Sequence, residues 1–268
     1  GGRLLQREDL DVHSDLILSY HYAYDEDGQM QSEHVEPEEA PLVVNPHTLG
    51  YNSMNQLVSF DGATLTYDSE GNLQNGPSSH GLASLDYNAR GRLKGASGRV
   101  YDYDEEDRLI GWEIPFGPKT TLVLNPNAVM SQVLTKTDSD GAYTRYVYGI
   151  GLIYEESDGE ILTHHYDQRG STVAMSGNAG TTVGRLAYSP YGKITHTQGL
   201  TESIFLHNGL YGVITMPGGL NYMRFRFYWP EVGRFITADA HLGSVSIISS
   251  LNRYGYAGGN PVMRVDPR

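Results

Sequence analysis

The most restrictive feature of this chain is a short unit that opens with Tyr followed by Asp or Asn. Its six copies begin at Tyr24, Tyr51, Tyr67, Tyr87, Tyr103 and Tyr166. In five copies a Leu or Met stands six residues after the Tyr, at Met30, Leu57, Leu73, Leu93 and Leu109. From Tyr24 to Tyr103 the copies follow one another at intervals of 16 to 27 residues, a period that is typical of repeat architectures.

The chemistry of the unit predicts a β-hairpin. An Asp or Asn side chain at the second position can accept hydrogen bonds from the backbone amides ahead of it, and Gly at the fifth position adopts positive φ without strain. Together they fit a type I turn closed by a glycine bulge. Asn55 and Asp107 replace this Gly in two copies, and both residue types tolerate positive φ. The Tyr and the Leu then lie on neighbouring strands and face one layer, so we predict an all-β fold.

The acidic stretch at 101–109 is the densest example of the unit and allows two interpretations. Its acids coincide with the turn positions, which favours solvated carboxylates on a tight turn. The alternative is a calcium loop, which needs a fuller set of oxygen ligands and usually a distal Glu. The side chains concerned are Asp102, Asp104, Glu105, Glu106 and Asp107. The turn is the simpler interpretation, and we expect neither a metal ion nor a cofactor.

Composition restricts the classes of partner. The formal charge of −13 disfavours nucleic acid and anionic membranes, because both are bound mainly by clustered Lys and Arg. The sequence has no apolar run long enough to span a membrane. It has no Cys, which excludes disulfides, thiolate nucleophiles and Cys-ligated zinc. We therefore expect no nucleic-acid partner and no membrane span.

Three blocks in the last third of the chain resemble a known family. They are "HHYDQRGSTVAMSGNAGTTVGRLAYSPYGK" at 164–193, "YGVITMPGGLNYMRFRFYWPEVGRFITAD" at 211–239 and "LNRYGYAGGNPVMRVDP" at 251–267. Together with the Tyr-Asp units they resemble the YD repeats and the repeat-associated core of the Rhs, insecticidal toxin-complex C and teneurin proteins. The resemblance covers nearly the whole chain and is closest after about residue 160.

This resemblance implies a β-ribbon that winds as a spiral into a hollow shell with a carboxy-terminal core plug. Residues 1–160 would form the YD-repeat sheet region and residues 161–268 the core and plug region. The implied function is encapsulation and release of a carboxy-terminal cargo polypeptide, often a toxin, by an exported protein. The implied partners are this cargo and the remaining repeats of the same shell, because the chain looks like a piece of a longer protein.

Two other functions stay open. One is an extracellular adhesion module of the teneurin kind, and the other is a self-cleaving core of the aspartic-protease type. We expect no small-molecule enzyme activity, since the chain has no G-x-S-x-G nucleophile elbow.

The resemblance assigns the self-cleavage to two carboxylates. Asp239 matches an Asp that soon follows the "GRF" segment of the core, and Asp266 matches the Asp of its terminal Asp-Pro run. Two adjacent carboxylates can share a proton, activate water and protonate a leaving amine, and Arg234 is a candidate charge partner. The family's usual Pro after the first Asp is Ala240 here, and the longer insert "HLGSVSIISS" follows.

Other conspicuous residues are explained more simply by structure. His164 and His165 are adjacent, so on a strand they point to opposite faces and do not share a metal ion. The pairs Gly218-Gly219 and Gly258-Gly259 predict turns. The alternating block "NYMRFRFYWPEVGRF" predicts a strand with one buried face that ends at Pro230; the alternative is a platform on which sugars or bases stack.

Overall fold

The computed structural model describes residues 3–37, 46–78, 81–128, 132–200, 202–244 and 246–266. In these ranges the fold is all-β, as predicted, with three short 3-10 helices at Gly209–Tyr211, Ile248–Leu251 and Ala257–Gly259. No helix among the described residues is long and apolar enough to cross a bilayer.

The strands fall into four antiparallel sheets. An amino-terminal sheet contains β1 (Gln6–Leu10), β2 (Leu16–Tyr24) and β3 (Met30–Glu36), and a second contains β4 (Leu49–Tyr51), β5 (Leu57–Phe60) and β6 (Ala63–Thr64). The large sheet contains β7 (Asn75–Ser78), β8 (Gly81–Tyr87), β9 (Leu93–Ala96), β10 (Arg99–Tyr103), β11 (Leu109–Glu113), β12 (Lys119–Leu124), β13 (Val133–Asp138), β14 (Tyr143–Tyr148), β15 (Leu152–Ser157), β16 (Glu160–Tyr166), β17 (Thr172–Ser176), β18 (Thr182–Tyr188) and β19 (Ile194–Gly199). The last contains β20 (Ile214–Thr215), β21 (Asn221–Met223), β22 (Arg226–Trp229) and β23 (Arg234–Phe235).

Strands β7 to β19 pair strictly in chain order, so the large sheet is a meander of thirteen strands. An isolated bridge between Tyr67 and Leu73 continues the hairpin pattern between β6 and β7. We call the run from β4 to β19 the ribbon. The predicted boundary at residue 160 stays a prediction; here β16 begins at Glu160 and pairs with strands on both sides.

The hairpin chemistry of the Tyr-Asp unit is confirmed. The φ angle is +87° at Gly71, +59° at Asn55 and +62° at Asp107. In the unit that starts at Tyr67, the Gly71 amide donates to the Asp68 carbonyl, and Asp68 Oδ1 accepts from the Asn72 amide at 2.8 Å. Burial alone would raise the pKa of Asp68, but these and neighbouring hydrogen bonds outweigh it and lower the pKa.

The acidic turn at 103–109 follows the same pattern. Asp104 Oδ1 accepts from the Arg108 amide, and Asp104 Oδ2 lies 2.7 Å from the Arg108 guanidinium. Asp102 pairs with Lys119 at 2.9 Å, and Asp107 pairs with Arg90 at 3.1 Å. Asp102, Asp104 and Asp107 therefore each have a cationic partner, which lies either on the turn itself or on a neighbouring hairpin. Within the described residues no group of three or more His, Asp and Glu side chains is placed to hold a metal ion.

Five tyrosine hydroxyls along the ribbon donate to a backbone carbonyl of an earlier strand or turn. Tyr87 donates to the Leu73 carbonyl at 2.8 Å and Tyr103 to the Leu93 carbonyl at 2.7 Å. The same bond joins Tyr148 to Val133, Tyr166 to Leu152 and Tyr188 to Thr172. We call this series the tyrosine ladder. It explains why the repeat needs Tyr rather than Phe, since the ring packs inward and the hydroxyl reaches a backbone acceptor.

Residues 202–266 form a core segment against which the ribbon curves. The unit leucines Leu57, Leu73, Leu93 and Leu109 are at most 2 % exposed and share one cluster with residues of the core segment, including the fully buried Phe205. Backbone bonds also join the two parts, as from the Leu73 amide to the Ile236 carbonyl at 2.9 Å. The ribbon and the core segment therefore share one hydrophobic core.

The amino-terminal sheet packs on the ribbon through β2. Tyr20 and Tyr22 cluster with Val173 and Ala174 of β17, and Arg7 donates to the Tyr166 carbonyl at 2.7 Å. Strand β3 continues through Glu36, and residues 38–45 lie outside the described ranges.

Candidate functional site

The core segment carries both predicted carboxylates. Asp239 follows β23, where its amide donates to the Arg253 carbonyl and its own carbonyl accepts from Arg253 Nε at 2.7 Å. Its Oδ1 accepts from the His241 amide at 2.8 Å, which closes a local turn. Asp239 is therefore fixed to the 252–256 stretch through its backbone, and Oδ2 is turned toward β22.

Arg226 of β22 is the charge partner of Asp239. Its Nη2 lies 2.9 Å from Asp239 Oδ2, and the two side chains are 14 % and 33 % exposed. The guanidinium carbon stands 3.6 Å from the centre of the Phe235 ring. Burial lowers the pKa of Arg226, and the charges of Asp239 and Asp266 oppose that shift. The half-buried Arg226 thus forms an ion pair with Asp239, and the charge of Asp266 also favours its protonated form.

Asp266 is half-buried beside Tyr256. Burial raises the pKa of Tyr256, and the Asp266 charge raises it further. The Tyr256 hydroxyl donates to Asn208 Oδ1 at 2.7 Å, and Asn208 is the residue that precedes the 3-10 helix at Gly209–Tyr211.

Arg234 is placed elsewhere. Its guanidinium donates to the Asn55 carbonyl and to Asn252 Oδ1, and it lies 4.8 Å from the centre of the Tyr51 ring. In the described structure the ion pair of Asp239 is made by Arg226. Arg234 lies on β23, whereas Arg226 reaches Asp239 from the adjacent strand, an arrangement that depends on the β22–β23 pairing and is not visible in the sequence.

A second cluster of charges joins three distant parts of the chain. Glu231 Oε1 accepts from Lys193 Nζ at 2.6 Å and from His47 Nε2 at 2.5 Å, and His47 Nδ1 lies 2.7 Å from Asp61 Oδ2. We call these four residues the charge clasp. It links the start of the ribbon, the turn before β19 and the core segment. The hydrogen bond to Asp61, reinforced by Glu231, raises the pKa of His47.

The two adjacent histidines have separate environments, as predicted. His164 Nδ1 is 3.1 Å from Thr172 Oγ1, while His165 Nε2 is 2.9 Å from Ser176 Oγ and its Nδ1 is 3.5 Å from Asp9. His164 therefore faces the core segment side and His165 the amino-terminal sheet.

The prediction of a single strand across "NYMRFRFYWPEVGRF" was wrong. Arg224 has a φ of +60° and starts a turn, so the stretch folds into two strands, β21 and β22, with Tyr222 opposite Phe227. Both strands are buried within the core segment, because the ribbon covers one side and other core residues cover the other. The pair Gly218-Gly219 does lie in a turn, with φ of +98° at Gly218. The pair Gly258-Gly259 instead ends the 3-10 helix Ala257–Gly259, in which Gly258 has a non-helical φ of +61°.

A family model described as Teneurin YD-shell matches residues 5–262. The chain belongs to the teneurin YD-shell family. The resemblance to YD-repeat proteins seen in the sequence is thereby confirmed.

Curated relatives include bacterial toxins and nucleases. The chain is 28 % identical over 260 residues to the tRNA3(Ser)-specific nuclease WapA of Bacillus spizizenii, covering 92 % of this chain and 11 % of that protein. It is 29 % identical over 181 residues to the double-stranded DNA deaminase toxin A of Burkholderia cenocepacia, covering 66 % of this chain and 10 % of that protein. The chain thus spans about a tenth of the length of these relatives.

Solved structures show the same fold. The crystal structure of TcdB2-TccC3 without the hypervariable C-terminal region matches with a TM-score of 0.62 at 16 % identity, covering 98 % of this chain and 17 % of that one. The complex TcdB2-TccC3-Cdc42 matches with a TM-score of 0.61 at 17 % identity, covering 95 % of this chain and 17 % of that one. The chain is a YD-shell module of the kind found in Rhs-type toxins.

Proposed function

We propose that this YD-shell module forms part of the wall of a shell that encloses a downstream cargo polypeptide in an exported Rhs-type toxin. The observation that carries the proposal is that relatives with different named activities share this region. One is named as a tRNA nuclease and another as a double-stranded DNA deaminase toxin, and the shared region is 11 % and 10 % of their lengths. A region common to both proteins serves a task that does not depend on which nucleic-acid reaction each toxin catalyses. Enclosing the active polypeptide until delivery is such a task.

The architecture supports this role. A meander in which every strand bonds to the next can be extended by further hairpins without a change in geometry. The ribbon already curves around the core segment through one shared hydrophobic cluster. Additional repeats in a longer parent would lengthen the wall, while residues 202–266 would close it beside the point where the cargo begins.

Protection of the cargo from protease tests the proposal. The longer parent would be treated with proteinase K and the cargo followed with an antibody. We expect protection in the native parent and loss of protection in Leu109→Asp, which places a charge in the core at a residue that is 1 % exposed. The matched surface variant Val123→Asp, at 53 % exposure, should keep the cargo protected.

Equal digestion of the cargo with and without an intact shell would contradict enclosure. That outcome would favour the adhesion function, in which the outer surface of the module binds a partner. The absence of a nucleic-acid partner for the module itself stays a prediction, and a binding assay with tRNA on this chain alone would test it.

We also propose that the core segment cuts the parent chain a few residues beyond Arg268, with Asp239 and Asp266 as the acid and base. The supporting observation is that Arg226 interacts electrostatically with both carboxylates. One carboxylate would take a proton from the attacking water, and the other would give a proton to the leaving amine. The scissile bond lies in the same chain, so its effective concentration is high and a single turnover suffices.

Separate Asp239→Asn and Asp266→Asn variants of the parent test this reaction. We expect the cleaved carboxy-terminal fragment to disappear in both on a mass spectrum. Asp104→Asn is the matched control, since that carboxylate also pairs with an Arg but lies in a ribbon turn. Persistent cleavage in both core variants would remove the two residues as catalysts.

A further inference from the structure

A cavity of about 450 Å³ lies between the two ends of the large sheet and the core segment. Its apolar walls are formed by Phe60, Leu82, Ile194, Trp229 and Pro230. Pockets of about 300 to 1,000 Å³ with mainly apolar walls and a few polar groups are typical ligand sites. The volume and the walls therefore fit one large apolar side chain or ring system.

Two polar side chains that line this cavity, His207 and Thr215, bear on what it could bind. Asn221 Nδ2 lies 3.2 Å from His207 Nδ1, and because an amide nitrogen only donates, Nδ1 accepts and the ring proton is on Nε2. Burial lowers the pKa of His207 to about 3, so the ring is a neutral donor at physiological pH. The hydroxyl of Thr215 also lines the cavity and is buried without a hydrogen-bond partner among the described residues.

The charges at the rim are already paired. Glu231 and Lys193 line the cavity, and both belong to the charge clasp, in which Glu231 bonds to Lys193 and to His47. The two cations and the two carboxylates of the clasp balance when His47 is protonated. A ligand that carries a net charge would find no unpaired counter-ion here, so charge complementarity favours a neutral ligand.

The position of the cavity favours a peptide over a compact small molecule. Pro77 and Ser78 belong to β7, and Ile194 begins β19. In the described part of the chain each of these end strands pairs on one side, β7 with β8 and β19 with β18. The side chain of Asn75 in β7 bonds to Thr64 and Thr66, so we take β19 as the edge strand next to the apolar pocket. An edge strand beside a pocket has the elements of β-strand addition, in which backbone bonds hold the peptide and the pocket selects its side chain.

We propose that this cavity is an anchor site for a neutral, extended peptide segment that inserts one aromatic side chain. Wall residues Phe60 and Trp229 contact the ring, and His207 and Thr215 offer hydrogen bonds to a peptide carbonyl. The site rests on the proposed function in one respect: the enclosed cargo is the natural source of such a segment. It would hold the cargo at a defined point of the wall.

Nuclear magnetic resonance of this chain tests the site without the parent. The chain has two Trp residues. Trp229 lines the cavity and Trp112 does not, so the indole N–H signal of Trp229 reports binding and that of Trp112 is the internal reference. The Trp112→Phe variant removes one of the two signals and so assigns both. The probe is the blocked tripeptide acetyl-Gly-Phe-Gly-amide. We expect a saturable shift of the Trp229 signal and little shift of Trp112, with affinity lower by about tenfold or more for the Ala and Glu analogues of the tripeptide.

Variants separate specific binding from general hydrophobic association. Leu82→Trp fills the cavity and should abolish the shift, while Thr215→Val should weaken binding by about threefold to tenfold because it removes one hydrogen bond. Thr163→Val, which lines a different cavity, is the matched control and should leave the affinity unchanged. No saturable shift, equal shifts of both Trp signals, or unchanged affinity in Leu82→Trp and Thr215→Val would each overturn the anchor site. The cargo-protection assay does not depend on this result.

Discussion

Replacing Tyr103 with Phe tests whether the tyrosine ladder stabilises the ribbon. The change keeps the ring and removes only the hydroxyl, which donates to the Leu93 carbonyl at 2.7 Å. A partly buried carbonyl that loses its donor costs about 1 to 2 kcal/mol of unfolding free energy. For a chain of this size that corresponds to a fall in melting temperature of about 2 to 6 °C.

Tyr143→Phe is the matched control. Tyr143 lies on β14 and is 47 % exposed, so the same atomic deletion there should change the unfolding free energy by less than about 0.5 kcal/mol. Urea unfolding of both variants, followed by circular dichroism, gives the comparison. Tyr87→Phe and Tyr166→Phe, on the separate strands β8 and β16, should lose similar amounts and add in the double variant to within about 0.5 kcal/mol.

Equal stability of Tyr103→Phe and Tyr143→Phe would refute the reasoning. It would mean that water satisfies the Leu93 carbonyl as well as the hydroxyl does. The preference for Tyr in the repeat would then need another explanation.

Three further predictions concern the turns and the charge clasp. Gly71→Val should lower the unfolding free energy more than Gly91→Val does. Both glycines have positive φ, but a Cβ at Gly71 would lie 2.7 Å from the Tyr254 hydroxyl, whereas no atom lies within 4 Å of a Cβ at Gly91. Urea unfolding measures the difference, and equal losses of unfolding free energy would contradict the prediction. The pKa of His47 is raised in the folded protein. Its charge therefore stabilises the fold fully below the pKa of the unfolded chain, about 6.5, and this stabilisation is lost as the pH rises through the pKa of the folded state. His47→Gln should flatten the fall in melting temperature above about pH 6.5, and an unchanged dependence of melting temperature on pH would count against the clasp. Calcium at about millimolar concentration should not raise the melting temperature more than sodium chloride of equal ionic strength does, and a selective rise would show that the acidic turns bind the ion.

Local chemistry explains why much of the ribbon could be predicted. The turn of the Tyr-Asp unit depends on the Asp side chain and on a residue that adopts positive φ within seven positions, so the hairpins at Gly71 and Asp107 follow from the sequence. A unit that has neither Asp nor Asn after its Tyr was missed. Tyr188 pairs with Ile194 in the same bulged geometry, but its turn uses Ser189, whose hydroxyl accepts from the Lys193 amide.

The core segment could be predicted only in part because its contacts join distant residues. Both candidate carboxylates were named through family resemblance. Arg234, the candidate charge partner, bonds to Asn55 and Asn252, and the ion pair of Asp239 is made by Arg226. The charge clasp brings His47 to Glu231 across 184 positions. No local spacing signals such a pair, and it arises only when the ribbon curves around the core segment.

Electron cryomicroscopy of the longer parent with its downstream polypeptide would test the central claim most directly. The account predicts that density for the cargo lies on the inner side of the wall, next to the core segment and continuous with the chain after residue 266. Cargo density on the outer face of the ribbon, or a cargo domain that is free in solution beside an empty or fully packed shell, would contradict enclosure.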